Sequence, residues 1–339
     1  MEDLPIASLG RYLEGHIAGF RGLRVAQKFS DGQSNPTYRL RAESGDYVLR
    51  RKPGGDLLKS AHAVDREFRV LRALADTDVP VARALHLCSD ETVIGAMFYV
   101  MEFVQGRVFW DPALPEIEPG PRAAIYDAMN ATLAAIHSVD LAAVGLMDYG
   151  RPGGYFARQF ATWSRQYRAT ETSTLPEMER IMAWLEANMV ADDGRVSLVH
   201  GDYRLDNVMF DPVAPKVAAV MDWELSTLGH PLADLAYQCM LWRMPPGPVL
   251  SGLAGVARGR SGLPVEEEYV ALYCDRMGIS GIADWHFYLV FGLFRLAAIV
   301  QGVKFRALAG NASSDHGLQV GALAAPLARK ACEILDAES

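Results

Sequence analysis

The chain has 339 residues, half of them hydrophobic and 22% charged, which describes a globular protein and excludes a disordered one. A formal net charge of −8 argues against nucleic acid or an anionic membrane as a general partner, and the length favours two lobes over one core. The opening MEDLPIASLG carries neither a basic flank nor an apolar run, so no secretory signal is expected. The four cysteines (Cys88, Cys239, Cys274 and Cys332) lack CxxC spacing, which excludes a thiolate zinc site or a disulfide framework and fits a cytoplasmic protein.

Ile6, Leu9, Leu13 and Ile17 recur at helical spacing and predict an opening amphipathic helix. Alternating runs at 23–29, 37–42 and 46–52, separated by SDGQSNP and ESG, predict an antiparallel meander. Ala61, Val64, Phe68 and Leu71 mark a helix over about 60–75, followed by strands near 81–88 and 97–104. Beyond Gln105-Gly106 helical patterns dominate, at 121–138, 155–168, 176–190, 231–242, 266–277, 284–308 and 320–336. Short strands are expected among them at 196–199, 207–210 and 217–221. The run WHFYLVFGLFRLAAIVQGVKFRAL at 285–308 is long and apolar, but Arg295 near its middle predicts a buried helix rather than a membrane span. The fold class is therefore α+β, with a sheet-rich lobe over 1–104, a hinge near 102–106 and a mainly helical lobe over 105–339. A cleft between such lobes is a common place for a ligand.

The strongest chemical signal is LVHGDYRLDNVMF at 198–210. His200-Gly201-Asp202, four residues and Asn207 reproduce the H-x-D-x-x-x-x-N spacing of a kinase catalytic loop, and VAAVMDWE then supplies Asp222 at a strand end. Phosphoryl transfer needs a carboxylate to orient the attacking hydroxyl and take its proton, the role read for Asp202. It also needs charge neutralisation by Mg²⁺, a hard cation suited to the amide oxygen of Asn207 and the carboxylate of Asp222. Singly these would be ordinary turn residues; in this order between apolar strands they form a set.

Upstream, Tyr47-Val48-Leu49-Arg50 stands where V-A-I-K is expected, so Arg50 is a candidate to hold the ATP phosphates. Lys52, two residues on and on the same face, is the alternative, and Glu67 is placed to pair with either. The loop FSDGQSNPTY has a single glycine, yet Gly32 and Ser34 can present backbone N–H groups to phosphate. In FYVMEFVQG the backbone of Glu102, Phe103 and Val104 is read as the adenine edge, with Met101 guarding the pocket behind it.

These motifs resemble those of the aminoglycoside phosphotransferase family, which has a protein-kinase-like fold. More narrowly, FSDGQSNPTYRL, YVLRRKPGG, SAHAVDREFRVLRAL, VHGDYRLDNVMF and MDWELSTLGHPLADLAY resemble the kinase-like domains associated with acyl-CoA dehydrogenases. The resemblance implies ATP and Mg²⁺ as cofactors and phosphorylation of a 4-hydroxyacyl-CoA, with an acyl-CoA dehydrogenase-type enzyme as a separate partner. It implies Asp202 as base, Asn207 and Asp222 as metal ligands, and Asp234 as a buried brace of the catalytic loop, with His200 also structural. Glu224 is a candidate for metal or substrate. Arg50 at the lysine place and the glycine-poor loop depart from the pattern.

The acceptor is read from charge. Between Gln238 and Val265 stand Arg243, Arg258 and Arg260 and no acid, which favours an anionic CoA thioester over a polycationic aminoglycoside. The late helix adds Arg295, Lys304 and Arg306, while Glu266-Glu267-Glu268 and Asp275 lie between the two groups. An aminoglycoside, another hydroxyl metabolite and a nucleotide-binding pseudokinase with a regulatory role are the alternatives. Protein kinase activity fits poorly, because no APE-like segment follows Asp222.

Overall fold

A computed structural model describes residues 4–29, 35–53, 63–309 and 314–337. In chain order the elements are α1 (Ile6–His16), β1 (Leu23–Lys28), β2 (Thr37–Ala42), β3 (Gly45–Arg51), α2 (Val64–Leu74), β4 (Ala84–Cys88), β5 (Phe98–Glu102) and β6 (Arg107–Val108). Then follow α3 (Pro119–His137), α4 (Tyr155–Thr170), α5 (Pro176–Ala187), β7 (Ser197–Val199), β8 (Val208–Phe210), β9 (Val217–Val220) and β10 (Thr227–Gly229). The chain closes with α6 (Leu232–Trp242), α7 (Glu266–Met277), α8 (Trp285–Leu308), α9 (Ser314–Gly321) and α10 (Ala324–Ala337). The fold is α+β and kinase-like, an N-terminal antiparallel sheet unit with a larger, mainly helical unit. The first unit comprises Met1–Arg107, Asp140–Leu146 and Asn207–Ser226; the second comprises Val108–Val139, Met147–Asp206 and Thr227–Ser339.

In the first unit five strands pair antiparallel in the order β1-β2-β3-β5-β4. The alternation read in the sequence sorts their side chains. Leu40, Leu49, Phe98 and Val100 meet Leu9 and Leu13 of α1 in a core. Arg50 stands opposite both Thr37 and Tyr99, on the other face, where Glu67 of α2 meets the Tyr99 hydroxyl at 3.4 Å. The strands expected at 81–88 and 97–104 are shorter than read, and α2 starts at Val64, with 54–62 outside the described residues.

The β8–β9 hairpin also belongs to this unit, and Arg107 donates through Nε to the Asp211 carbonyl at 3.1 Å. Next to it Gly106 leaves no room for a side chain. A β-carbon there would stand 2.3 Å from Met209 Cγ and 2.6 Å from the Phe210 carbonyl oxygen. The methionine can yield, but the carbonyl is tied into the hairpin. Gly106→Ala should therefore cost about 1–3 kcal/mol, the usual range for overpacking, as read from denaturant unfolding.

The second unit is built on α8, which packs against α4, α5, α6, α9 and α10. By length and composition α8 could cross a membrane, but 78% of its apolar 18-residue window is buried inside the protein, so it is a core helix. Arg295 is itself buried there, with its guanidinium 5.8 Å from the Trp163 ring centroid. The helix read over 320–336 is α10, and α9, just ahead of it, was not expected from the sequence. Gly321 ends α9 against α8, where a β-carbon would approach Lys304 Cβ to 2.3 Å. Strand β10 pairs with β7 and was not expected from the sequence. All of α6 is buried, which explains why its sequence is apolar without a polar face.

Candidate active site

The first unit gathers four of the residues singled out above. The Arg50 guanidinium sends Nε to within 3.1 Å of Glu67 Oε2 and a second arm to Asp222 Oδ1 at 2.8 Å. Glu224 Oε2 lies 3.8 Å from that same arm. Arg50 and Lys52 share a strand face, and Arg50 is the one whose root lies opposite Tyr99 and under Glu67. No ion pair to Lys52 occurs among the described residues. Gly32 and Ser34 lie outside the described residues.

One guanidinium thus serves three carboxylates. Burial and the neighbouring Asp222 and Glu224 charges push the Glu67 carboxyl up, to about 8, although Arg50 opposes the shift. For Arg50 burial works against the charge, but Glu67 and Asp222 outweigh it and keep the guanidinium ionised. Glu67 therefore binds a proton more readily than an ordinary glutamate, while the cation is locked in place.

Asp222 has φ 61° and ψ 62°, a left-handed conformation that few non-glycine residues adopt and that aspartate tolerates better than most. The turn after it is held from several sides. Ser226 Oγ donates to the Trp223 carbonyl at 2.5 Å, the Trp223 indole donates to the Val220 carbonyl at 3.1 Å, and Arg66 reaches the Ser226 carbonyl at 3.3 Å. The Met221 N–H donates to the Asn207 carbonyl at 2.9 Å, which sets the two strand ends beside each other. The donors here are oxygens only, an amide and carboxylates, and the Asp222 side chain is one-third exposed. That chemistry fits Mg²⁺, which binds through one or two carboxylates and completes its shell with water and substrate phosphate. Among the described residues no group of three or more His, Cys, Asp and Glu side chains forms a metal cage.

Of the residues read as the adenine edge, Glu102 donates its N–H to the Arg83 carbonyl at 2.9 Å. The Phe103 ring is covered by the Arg39 guanidinium, 4.3 Å from its centroid, and Arg39 is also paired with Asp46. Val104 lies just past the end of β5.

The second unit carries Asp202, five residues ahead of Asn207 in the chain. The turn before it is held by Asp234, wholly buried, which accepts the His200 N–H at 2.6 Å and the Gly201 N–H at 2.8 Å. Gly201 has φ +86°, open to glycine and strained for other residues. His137 reaches Asp234 Oδ2 through Nε2 at 3.3 Å and Tyr273 Oη through Nδ1 at 2.6 Å. Burial works against the charge of Asp234, but His137, His200 and the Gly201 N–H outweigh it and hold the carboxyl below its usual range. Further along, the Tyr203 hydroxyl donates to the Met129 carbonyl at 2.8 Å. Asp234→Asn places an amide N–H where a carboxylate oxygen received a backbone N–H. It should cost about 3 kcal/mol, the scale for breaking a buried ionic network, measured by denaturant unfolding with Asp234→Glu as a length control.

The arginines read as substrate contacts are engaged within the protein. Arg243 makes a two-armed pair with Glu266, Nε to Oε2 at 2.9 Å and the terminal nitrogen to Oε1 at 2.6 Å, and Trp285 Nε1 adds a donor to that carboxylate at 2.9 Å. Arg258 donates to the Trp242 carbonyl at 2.9 Å. The acid run that stood against an anionic pocket in the sequence thus supplies Arg243 with its partner. Sequence reasoning missed Arg204, whose Nε lies 3.5 Å from Asp202 Oδ1 and whose other arm meets Asp206 at 3.1 Å. Its position two residues after Asp202 was the available signal. It also missed His137, for which the sequence offers none.

Residues 25–269 match the family model described as "Phosphotransferase enzyme family". Over 337 residues, 99% of this chain, the sequence is 47% identical to acyl-CoA dehydrogenase family member 10 of Mus musculus, covering 31% of that protein. Acyl-CoA dehydrogenase family member 11 of Homo sapiens is 42% identical over 333 residues, 96% of this chain and 42% of that protein. The chain therefore spans less than half the length of these curated relatives. A crystal structure from Ralstonia eutropha JMP134, provisionally classed as an aminoglycoside phosphotransferase, is 47% identical with a TM-score of 0.89 over 98% of each chain. Macrolide 2'-phosphotransferase MphH from Brachybacterium faecium shares the fold at a TM-score of 0.62 and 18% identity, over 94% of this chain and 97% of that one.

Proposed function

The chain belongs to the phosphotransferase enzyme family, and on that premise we propose that it transfers the γ-phosphoryl group of ATP to the hydroxyl of a 4-hydroxyacyl-CoA. The observation that carries the nucleotide half is the two-armed grip of Arg50 on buried Glu67 and on Asp222. That grip fixes a permanent cation on the central sheet, where it can receive the α- and β-phosphates. The backbone at Phe103 and Val104 takes the adenine edge, and Asn207 and Asp222 would hold Mg²⁺. When bound, Mg²⁺ neutralises charge on the transferring group.

Asp202 accepts a hydrogen bond from the acceptor hydroxyl and orients one oxygen lone pair towards the γ-phosphorus. As the new P–O bond forms and the bond to the β-bridging oxygen breaks, ADP leaves and the hydroxyl proton passes to Asp202. The proton then returns to solvent. Asp234 and Gly201 contribute by holding the turn that aims Asp202, so that little reorganisation is needed at the moment of transfer.

The acceptor class rests on similarity to proteins named for acyl-CoA dehydrogenases across nearly all of this chain. Elimination from a hydroxyacyl-CoA is easier once the hydroxyl is phosphorylated, and a dehydrogenase-type enzyme acting on the product is the partner this reading supplies. Arg243 is not available for the CoA phosphates, since both of its arms are taken by Glu266. An aminoglycoside is the second reading, favoured by the class of the Ralstonia protein. ATP consumption with Mg²⁺ over a panel of 4-hydroxyacyl-CoAs, free 4-hydroxy acids and kanamycin tests both. Turnover of the thioesters alone supports the proposal. Turnover of kanamycin, or of none of the panel, sinks it.

A further inference from the structure

Among the described residues four acidic, lysine or arginine side chains are buried, and three of them are matched. Glu67 meets Arg50 and Glu266 meets Arg243, while Asp234 takes His137 and two backbone N–H groups. Arg295 is the exception. It is 6% exposed, yet among the described residues neither a carboxylate nor a hydrogen-bond acceptor reaches its guanidinium. Its Nε is sealed from solvent without a partner, whereas the two terminal nitrogens are not sealed and form the open end of the fork. A charge held this deep is costly unless something answers it. The Trp163 ring, with its centroid 5.8 Å from the guanidinium carbon, answers part of it.

The seam between α4 and α8 holds this cation in place. Phe156 packs on Phe291 and Phe160 on Phe294, with ring centroids 5.0 and 5.6 Å apart. Further along, the Gln301 amide donates to the Thr170 carbonyl at 2.7 Å and to Thr172 Oγ1 at 3.0 Å. Trp163 is fixed as well, its indole N–H donated to Gln159 at 2.9 Å. The start of α4 packs against the strands that lead to the turn before Asp202. A β-carbon at Gly229 of β10 would stand 2.5 Å from the Tyr155 ring, and β10 pairs with β7, which runs into His200. Trp163 lies about 12 Å further along α4 from Tyr155, at the usual rise per residue.

We propose that Arg295 binds the anionic end of the acceptor, taking a phosphate or carboxylate group on its two terminal nitrogens. This rests on the phosphotransfer reading above and names the part of the acceptor that the helical unit holds. A guanidinium presents two parallel N–H donors that match either group, so one contact supplies both the counter-charge and the acceptors. The other two arginines weighed for this task are engaged inside the protein, Arg243 with Glu266 and Arg258 with the Trp242 carbonyl. Arg295 keeps its terminal donors. A polycationic acceptor would meet the same guanidinium with repulsion.

Arg295→Met keeps an apolar stem of similar reach and removes the charge. By calorimetric titration, affinity for the acceptor should fall about 10–100-fold, the range for losing charge-assisted hydrogen bonds, and Arg295→Lys should lose less. Three probes locate the anion: a 4-hydroxyacyl-CoA, its 3′-dephospho form and the free 4-hydroxy acid. A loss confined to the intact thioester points to the 3′-phosphate, a loss on both thioesters to the pyrophosphate, and a loss on the free acid to its carboxylate. Each supports the proposal. Stability supplies a second readout. Removing a cation that lacks a counter-charge should leave the denaturant midpoint unchanged or raised, and the bound probe should protect wild type more than Arg295→Met. Equal affinity of the two proteins for all three probes, or no binding of any, overturns the proposal. So does a lowered midpoint with affinity kept, which makes Arg295 a packing partner of Trp163. Probe binding that depends on Arg295 without any phosphoryl transfer would instead count against the phosphotransfer reading and leave the anion contact standing.

Discussion

Asp202→Asn should lower phosphoryl transfer by about 10²–10⁴-fold, the range for losing a positioned general base, while ATP affinity stays within about twofold. The asparagine is nearly isosteric, so the Asp234 hydrogen bonds to the turn before it are untouched. What changes is the ability to accept a proton and to hold the hydroxyl by its hydrogen. Arg204, 3.5 Å from Asp202 Oδ1, would lose part of its ionic pairing and keep Asp206. Single-turnover rates with radiolabelled ATP separate this loss from any effect on product release, and calorimetric titration with a non-hydrolysable ATP analogue checks binding. Near-normal turnover would remove Asp202 from the chemistry.

The second large effect is expected at Asp222. Asp222→Ala should weaken ATP binding in the presence of Mg²⁺ by about 10–100-fold and change it little in EDTA, because the lost group acts through the cation. The alanine must also occupy the left-handed conformation at φ 61°, which costs of order 1 kcal/mol or more. Asp222→Asn is therefore the better partner variant, since asparagine tolerates that conformation and differs only in charge. Arg50 keeps Glu67 in either case, so the cation does not leave the sheet. Equal loss of affinity with and without Mg²⁺ would mean that Asp222 acts on Arg50 rather than on the metal.

Much of this arrangement was legible in the sequence because it is written in local periodicity. Leu9 and Leu13 at helical spacing, or Leu40 and Leu49 on alternating strands, declare their core face without tertiary information. The spacing from His200 to Asn207 is equally local. What could not be read depends on residues far apart in the chain. Arg50 and Lys52 share one face by alternation, and only the packing of α2, which sets Glu67 beside the Tyr99 hydroxyl, separates them. Arg243 looked available because its partner Glu266 lies 23 residues on. Strand β10 is three residues long, too short for any period to show, and it exists because Gly229 lets Tyr155 pack onto it, 2.5 Å from where a β-carbon would be.

The complete burial of α6 has a consequence for how the enzyme fails. Asp234 rides on a helix whose amides can reach solvent only when the surrounding core opens, so in hydrogen exchange it belongs with the slowest-opening part of the second unit. The support of the turn before Asp202 therefore has no low-energy way to loosen by itself. On heating, that half of the machinery stays assembled up to the cooperative transition and is lost with it.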